Sequence, residues 1–322
     1  MRSKILEILR SHAGGCISGE GIASQLGVSR TAVWKHIKEL KLAGYQIESR
    51  ARNGYCLKGC PDRLLPDLIT HGLTTRLLGR SVISFEDIPS TNNEAKKAAA
   101  DGADEGTVIV TESQSTGKGR LDRSFFCPRG GLWFSVLLRP QFLPQDAPKC
   151  TLLAAVAVAE AMQELGLEAG IKWPNDIYCR GRKLTGILTE MSAEMDKINY
   201  LVIGIGVNAN IPPESFPDAI RDKAGSISGM LGHNIDRAAF LQRILHYMEE
   251  LYIDVLQHGF SNMLNEWRRH SITLGQDINV LGVQESFAGK AVDIDADGAL
   301  LVETPDGMKR VLAGDVSIRP RS

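Results

Sequence analysis

The sequence has few cysteines and no long apolar run, and these shortages exclude several classes of protein. Its six cysteines include no C-x-x-C pair and its seven histidines show no metal-ligand spacing, so we expect neither a structural zinc site nor a disulfide framework. The longest mostly apolar run, residues 152–161, is too short to span a bilayer, and the N terminus lacks the apolar core of a secretory signal. These shortages predict a cytoplasmic protein that does not enter a membrane.

Net charge is also nearly absent, although the charges are distributed unevenly. The 322 residues carry 37 Lys and Arg against 38 Asp and Glu, a net charge of −1. Residues 1–60, however, hold ten basic and four acidic residues, a net charge of +6 that leaves the remainder acidic. A basic first segment on an acidic remainder predicts nucleic-acid contact at the N-terminal end alone.

The first segment has the pattern of a winged helix-turn-helix. Apolar residues at helical spacing predict three short helices, with Ser18 and Ser29 as N-caps of the second and third. Residues 45–57 then alternate like a β-hairpin that turns at Asn53-Gly54 and forms the wing. The residues predicted to bind DNA lie at the start of the third helix and in the wing: Ser29, Arg30, Thr31, Lys35, Lys38, Arg50 and Arg52. The alternative is a small helical module whose basic face contacts protein.

The rest of the chain is predicted to be α+β with a mixed or antiparallel sheet, because few of its strand-like runs show the spacing of βαβ units. The strand-like runs are 82–88, 107–112, 132–139, 187–192 and 200–207, and the helical runs are 91–100, 152–165, 238–256 and 260–270. From residue 277 onward, short alternating runs break at Asp297-Gly298 and Asp306-Gly307, which predicts a small β-barrel. We therefore predict domains at 1–62, 63–272 and 273–322.

Three clusters in the central segment carry potential chemistry. Residues 116–125 combine paired glycines with cations, so this loop can order around an anion. Residues 172–176 and 182–188 form a second cluster, and the glycines of residues 204–210 leave room for a flat ligand against a strand. Taken singly, each cluster also fits a surface loop, a solvated turn or a tight bend. A complete P-loop, a dinucleotide fingerprint and a G-x-S-x-G elbow are all absent, which argues against those nucleotide-binding and hydrolase types.

In this order and at these intervals, the motifs resemble those of the biotin protein ligases, and over nearly the full length the chain is similar to the bifunctional ligases that also repress the biotin operon. The motifs that carry the resemblance are Ser90-Thr91-Asn92, Glu112-Ser113-Gln114, Gly117-Lys118-Gly119-Arg120, Lys172-Trp173-Pro174-Asn175-Asp176, Arg182-Lys183-Leu184-Thr185-Gly186-Ile187-Leu188 and Gly204-Ile205-Gly206-Val207-Asn208. The chain departs from the family pattern at three positions. Lys118 stands in place of an arginine, Asp122 in place of a glycine or serine, and Phe125 in place of a tryptophan.

The resemblance implies a fold and a reaction. The implied central domain has the class II synthetase-like fold of biotin and lipoate ligases, and the implied C-terminal domain is an SH3-like β-barrel. Biotin and ATP, with Mg²⁺, are expected to form biotinyl-5′-AMP, from which the biotinyl group passes to a lysine of a biotin carboxyl carrier protein, a subunit of acetyl-CoA carboxylase or of another biotin-dependent carboxylase. Biotinyl-5′-AMP is also the expected corepressor, which favours a homodimer that binds operator DNA of biotin genes.

The resemblance also implies roles for individual residues. It places Arg120, Lys183 and Asp176 at the reacting groups. The implied biotin contacts are Ser90, Thr91, Asn92, Gln114, Lys118, Gly119, Arg120, Lys183, Gly186, Leu188, Gly204 and Gly206. The implied contacts of ATP or the adenylate are Arg120, Arg123, Phe125, Asn175 and Asn208, with Mg²⁺ carried by ATP near Asn208 rather than held in a cage of protein ligands. Asp315 and Arg319, in the family's closing motif, are expected near ATP or the carrier protein.

Two other functions are open at this point. One is a transcription factor whose ligase-like core only senses a ligand, and the retained Arg120 and Lys183 argue against it. The other is a lipoate–protein ligase, which shares the fold and the adenylation chemistry. A lipoyl pocket has no ureido group to satisfy, so the polar side chains at Ser90-Thr91-Asn92 and Gln114 favour biotin.

Overall fold

The computed structural model describes residues 1–12, 15–50, 53–120, 123–282, 286–313 and 316–320, the last range by its backbone alone. The chain divides into two compact units, Met1–Arg63 and Leu64–Ser322. The predicted three-domain division, with boundaries after residues 62 and 272, stays a prediction.

The first unit is a winged helix-turn-helix, as predicted. Both serine caps form, because the Gly21 amide donates to Ser18 Oγ (2.9 Å) and the Ala32 amide to Ser29 Oγ (3.2 Å). The helices and strands are α1 (Arg2–Ser11), α2 (Gly19–Leu26), α3 (Arg30–Leu42), β1 (Gln46–Arg50) and β2 (Gly54–Gly59). Their buried apolar side chains form the core of the unit: Ile5, Leu6, Leu9, Ile22, Ala23, Val33, Ile37 and Leu40.

The predicted two-residue turn of the wing at Asn53-Gly54 is wrong. Gly54 lies in β2 opposite Arg50, so residues 51–53 connect the two strands. The glycine is needed for close packing instead, since a Cβ at Gly54, whose φ is 91°, would overlap the Ile17 carbonyl oxygen. Arg52, a predicted DNA contact, lies outside the described residues.

The sequence predicts no disulfide framework, but the first unit does contain one disulfide. Cys16 and Cys56 are 40 residues apart in sequence and are joined by a disulfide. The neighbouring residues explain why the two cysteines meet, because the Ile17 amide donates to Tyr55 O (3.0 Å) and the Tyr55 amide to Ile17 O (2.8 Å). The crosslink therefore ties β2 to the segment that precedes α2 and encloses α2, α3 and β1.

Removal of this crosslink is expected to destabilise the first unit. A disulfide that closes a loop of this length limits the unfolded chain, so the variant Cys16→Ser/Cys56→Ser should lower its free energy of unfolding by about 2–4 kcal/mol. Calorimetric unfolding of the full chain with and without dithiothreitol measures the change. Cys60→Ser is the control, since Cys60 is an exposed free thiol. Equal unfolding of the double variant and the oxidised parent contradicts the prediction.

The second unit has an α+β fold built on two sheets, as predicted. Its elements up to the end of the first sheet are α4 (Pro66–Thr70), β3 (Val82–Ile88), α5 (Thr91–Ala100), β4 (Val108–Gln114), β5 (Leu132–Leu138), α6 (Lys149–Glu164), β6 (Gly170–Lys172), β7 (Asp176–Cys179), β8 (Arg182–Ala193) and β9 (Ile198–Val207). The elements that follow are α7 (Asp218–Arg221), α8 (Ile227–Leu231), α9 (Arg237–His258), α10 (Ser261–His270), β10 (Asp277–Gly282), β11 (Ser286–Ile294), β12 (Leu300–Thr304), β13 (Gly307–Val311) and β14 (Val316–Pro320).

The first sheet has seven strands in the order β3-β4-β5-β9-β8-β7-β6. The β3–β4 pair is parallel and the other neighbours are antiparallel, so the sheet is mixed. Alternate residues of each strand face opposite sides. One side packs on α6, α9 and α10, and the other is covered by α5 through Ala95 and Ala99.

The second sheet contains five antiparallel strands in the order β13-β12-β11-β10-β14. The predicted breaks at Asp297-Gly298 and Asp306-Gly307 both separate strands, and both glycines have positive φ. The sheet packs against α10, where Arg268 Nε lies 2.7 Å from Asp293 Oδ1. None of the helices in the described ranges is both long and apolar enough to cross a membrane.

Candidate functional site

A cavity of about 690 Å³ lies where the three sequence clusters meet in the second unit. Pockets for small molecules span roughly 300–1,000 Å³, so the cavity has the size for a nucleotide or a comparable ligand. The predicted site residues that line it are Ser90, Thr91, Asn92, Gln114, Lys118, Gly119, Arg120, Arg123, Phe125, Asn175, Asp176, Lys183, Gly186, Leu188, Gly204 and Gly206.

One end of the cavity is uncharged and polar. Gln114 Oε1 accepts from the Thr91 amide (2.7 Å) and lies 3.2 Å from Thr91 Oγ1. Ser135 Oγ lies 2.8 Å from Thr91 Oγ1 and 2.6 Å from Asn92 Oδ1. These buried and half-buried groups hold one another in fixed orientations at the start of α5, where they can meet a neutral polar ligand group.

Cys127 lies behind this network and was not predicted. Its Sγ accepts a hydrogen bond from Gln114 Nε2 (3.0 Å), which orients the Gln114 amide. Burial raises the pKa of the Cys127 thiol to about 12, so the thiol is neutral at physiological pH and is not a nucleophile. Its signal in the sequence is weak, because the contact depends on a bend of the chain between residues 114 and 127.

The glycine-rich loop of residues 116–125 folds back on itself beside the cavity. The Gly119 amide donates to Arg123 O (2.7 Å), and the Phe125 amide donates to Gly117 O (2.8 Å). A Cβ at Gly117 would lie 2.6 Å from Cys127 Sγ, so this position requires glycine for close approach. Leu121 and Asp122, including the departure from the family pattern at Asp122, lie outside the described residues.

Arg120 extends from this loop into the cavity wall. It is half-buried, and its Nη1 donates to Asn175 Oδ1 (3.2 Å) while its Nη2 donates to Ala313 O. Asn175 is itself held by β8, since its Nδ2 donates to Ile187 O (2.9 Å). The guanidinium is therefore fixed between the first sheet and the chain that follows β13.

Lys183 and Asp176 form an ion pair in the cavity wall. Lys183 Nζ lies 2.6 Å from Asp176 Oδ1, and both side chains are about one-quarter exposed, at 27% and 23%. Lys183 Nζ also lies 5.5 Å from the centre of the Phe125 ring. Lys118 and Arg120 also line this part of the cavity, so its cations outnumber the Asp176 carboxylate and can attract an anion.

Three glycines make the wall between the two ends flat. A Cβ at Gly186 would lie 2.9 Å from the Phe125 ring, and one at Gly206 would lie 3.0 Å from it. Phe125 also packs edge-to-face on Trp133, with ring centroids 5.9 Å apart. A Cβ at Gly204 would overlap Asn92 Oδ1, so the polar end depends on the absence of a side chain there.

Gly204→Ala is expected to displace Asn92 and weaken ligand binding at the polar end. Overpacking of this kind costs about 1–3 kcal/mol, so the KM of the ligand bound there should rise about tenfold to a hundredfold. Steady-state kinetics with that ligand and with the nucleotide varied separately locate the effect. Gly15→Ala is the control, since a Cβ there meets no closer atom than His12 O at 3.5 Å. A variant with the KM of the parent contradicts the prediction.

Two lining residues, Tyr178 and Lys223, lie outside the three clusters that the sequence singled out. The further lining residues lie within those clusters: Ser124, Lys172, Trp173, Pro174, Ile187 and Ile205. Tyr178 could have been predicted from strand alternation, because it lies two residues after Asp176 on the same strand and therefore faces the same side. Burial, with a smaller effect of Asp176, raises its pKa to about 12. Lys223 carries no such signal, since it comes from the loop after α7.

Asn208 is not among the residues that line the cavity. Asn208 is 4% exposed, and its Nδ2 donates to Gly225 O (2.9 Å) and lies 3.4 Å from the backbone oxygen of the lining residue Lys183. Among the described lining residues, Asp176 supplies the one carboxylate, and it is paired with Lys183. Mg²⁺ prefers several oxygen ligands in octahedral geometry, so these residues fit it only as an ion held mainly by nucleotide phosphates.

The predicted DNA-binding residues lie on the surface of the first unit. The residues with exposed side chains there are Ser29, Arg30, Thr31, Lys35, Lys38 and Arg50. Trp34 joins them, with 56% of its surface exposed and the Lys38 ammonium 5.6 Å from its ring centre. The side chains of Asp315 and Arg319 are outside the described part of the chain. DNA contact by the exposed set stays a prediction.

Comparisons with known proteins place the chain among several relatives. The model described as the biotin/lipoate A/B protein ligase family matches residues 84–208, an HTH domain model matches 2–56, and a biotin protein ligase C-terminal domain model matches 273–319. The bifunctional ligase/repressor BirA of Bacillus subtilis is 40% identical over 99% of this chain and 98% of its own, and that of Escherichia coli 30% identical over 94% and 92%. The biotin protein ligase from Aquifex aeolicus in complex with biotin and ATP superposes with a TM-score of 0.66 and 28% identity, over 75% of this chain and 100% of its own.

Proposed function

The chain belongs to the family of bifunctional biotin ligase/repressors, and on this premise we propose how its residues carry out both activities. As a biotin–protein ligase it joins biotin to a protein in an ATP-dependent reaction, and as a repressor it controls transcription. The observation that supports the mechanism below is that one cavity has an uncharged polar end at Thr91, Asn92 and Gln114 and a cationic end at Arg120 and Lys183.

In the first step, biotin lies with its ureido ring at the polar end and its carboxylate toward the cations. The carboxylate and the α-phosphate of ATP are both anions, and two like charges about 4 Å apart repel by about 4 kcal/mol at an effective dielectric constant of about 20. Arg120, Lys118 and Lys183 offset this repulsion. A carboxylate oxygen then attacks the α-phosphorus, the bond to the bridging oxygen breaks, and pyrophosphate leaves with its electron pair.

In the second step, the amine of a carrier-protein lysine attacks the carbonyl carbon of biotinyl-5′-AMP. An amide bond forms, the carbon–oxygen bond to phosphate breaks, AMP leaves with the electron pair, and the amine nitrogen releases one proton to solvent. Asp176 positions the incoming amine, and Lys183 stabilises the negative charge on the departing phosphate. The loop of residues 116–125 shields the mixed anhydride from water while it waits for the carrier.

Phe125 and Asn175 act at the part of the cavity that binds the nucleotide. Phe125 stacks on adenine, and Asn175 orients Arg120. Arg123 contributes a further cation from the exposed side of the loop. Mg²⁺ bound together with ATP would supply positive charge to the leaving pyrophosphate.

For repression, biotinyl-5′-AMP acts as corepressor and favours a homodimer that presents two copies of α3 to operator DNA. Sedimentation of the full chain with and without biotinyl-5′-AMP tests the dimer, and an unchanged monomer population excludes this coupling. We further propose that the acceptor is a biotin carboxyl carrier protein and that the enzyme acts in the cytoplasm.

The decisive experiment is ATP–pyrophosphate exchange measured with biotin and, separately, with lipoate. Exchange that depends on biotin, with little from lipoate, supports the proposal. Preference for lipoate would indicate a lipoate–protein ligase. Absence of exchange with either acid would indicate a ligand-sensing transcription factor without ligase activity.

A further inference from the structure

A charged network lies next to the polar end of the cavity, and two of its members, Glu190 and Lys96, have no role in the reaction above. Glu190 on β8 receives a hydrogen bond from Asn92 Nδ2 at one carboxylate oxygen (2.7 Å) and an ion pair from Lys96 Nζ at the other (2.7 Å). Asn92 and Lys96 are four residues apart on α5, so they lie on the same face of that helix. Glu190 therefore connects β8 to the helix face at the polar end.

The position of Glu190 on β8 explains why it reaches this end. Gly186 and Leu188 line the cavity, and alternate residues of a strand face the same side of the sheet. Glu190 is the next residue on that side. Its side chain is 29% exposed, so it is partly shielded from water.

The ionised state of Glu190 is favoured by its surroundings. Burial tends to raise the pKa of its carboxyl group, but the hydrogen bonds from Lys96 and Asn92 and the charges of Lys96 and Lys118 lower it below its ordinary value. A carboxylate has acceptors and no donor. It can therefore hold the NH₂ group of Asn92 but not its carbonyl oxygen.

This asymmetry fixes the orientation of the Asn92 amide. Asn92 Nδ2 is also 3.2 Å from Leu188 O, a second acceptor, while Oδ1 lies 2.6 Å from Ser135 Oγ. A flipped amide would bring Oδ1 against the Glu190 carboxylate and the Leu188 carbonyl. Glu190 and Leu188 O therefore keep Oδ1 on the side of Ser135 and Gly204.

We propose that Glu190 is a positioning residue for ligand selection: by locking the Asn92 amide, it presents Oδ1 as an acceptor for a ureido N–H of biotin. This inference rests on the proposed function and deepens it, because it names a residue that makes the polar end select an N–H donor. A lipoyl ring has no N–H to offer. The selection acts on binding of the acid substrate and not on the chemistry at the phosphate.

The test compares Glu190→Gln with two matched variants in biotin-dependent ATP–pyrophosphate exchange. Glutamine has a similar shape but can donate to a flipped Asn92, so loss of the charge-assisted bond should raise the KM of biotin about 10-fold to 100-fold, with kcat and the KM of ATP within about threefold. Lys96→Met removes the ion pair but leaves the Asn92 bond, and should change the KM of biotin less than about threefold. Glu194→Gln, an exposed position just beyond β8, should match the parent.

A double-mutant cycle separates positioning from structural support. If Glu190 acts through Asn92, Glu190→Gln should have little further effect on the KM of biotin in an Asn92→Ala background, whereas independent effects add. Additive effects, an unchanged KM in Glu190→Gln, or an equal rise in the KM of biotin and of ATP would each overturn the proposal. A parent protein without biotin-dependent exchange would instead overturn the proposed function, and calorimetric titration of the same variants with biotin would still test the role of Glu190.

Discussion

Lys183→Ala is expected to lower kcat/KM for biotin-dependent ATP–pyrophosphate exchange by about a thousandfold. The ammonium lies 2.6 Å from Asp176 Oδ1 and lines the cavity where two anions must meet. Its loss removes one positive charge, worth about 4 kcal/mol at about 4 Å in a dielectric of about 20, and leaves the Asp176 carboxylate uncompensated. Each 1.36 kcal/mol changes a rate about tenfold, which gives the expected size.

Two further variants distinguish an effect of the lost charge on catalysis from an effect of the substitution on folding. Lys183→Met/Asp176→Asn removes both charges and should recover part of the activity, because no unpaired carboxylate is left to repel the substrates. Lys197→Ala, at an exposed position between β8 and β9, is the matched control and should behave as the parent. A Lys183→Ala enzyme within tenfold of the parent, with the same thermal stability, would falsify the assignment.

The parts of the fold that follow from short-range rules could be predicted from the sequence. Ser18 and Ser29 cap α2 and α3 because a serine oxygen accepts amides that a helix start leaves unbonded. The regular strands β5 and β9 could be found from their apolar runs. The short strands β6 and β7 could not, because they have three and four residues and flank Trp173-Pro174-Asn175, which interrupts any pattern.

Features created by long-range packing were out of reach. The Cys16–Cys56 disulfide and the packing requirement at Gly54 both arise because residues near 17 meet residues near 55. The hydrogen bond from Asn92 to Glu190 likewise joins residues 98 positions apart. Rules based on the spacing of nearby residues cannot predict contacts between residues so far apart in sequence.

The site was predicted by the family resemblance rather than by composition or periodicity, and this has a physical reason. Arg120, Asn175 and Lys183 come from a loop, a tight hairpin connection and a strand start, and each position alone fits an ordinary solvated surface. Only the fold brings them to one cavity. Tyr178 shows that periodicity can still add a residue to the site. It lies on β7 two residues after Asp176, so strand alternation predicts that both side chains face the cavity.

Arg120→Ala is expected to lower kcat/KM for exchange by about a hundredfold to a thousandfold, the usual loss when one preorganised donor to a developing charge is removed. Arg120 is held by Asn175 Oδ1 and Ala313 O, so its planar group is already in place before substrates bind. Such preorganisation means that the enzyme does not have to order a flexible cation in the transition state.

Arg120→Lys decides whether geometry or charge matters more at this position. Lysine keeps the charge but lacks the planar fork that binds two oxygens of a phosphate at once. We therefore expect kcat/KM of Arg120→Lys to exceed that of Arg120→Ala by less than about tenfold. Arg129→Ala is the control, since Arg129 is 65% exposed and pairs with Glu86. Full activity in Arg120→Lys would mean that a point charge suffices, and the bidentate role of Arg120 would have to be abandoned. An Arg120→Ala enzyme as active as the parent would remove the loop cation from the mechanism altogether, because then Lys183 and Lys118 alone would overcome the repulsion between carboxylate and phosphate.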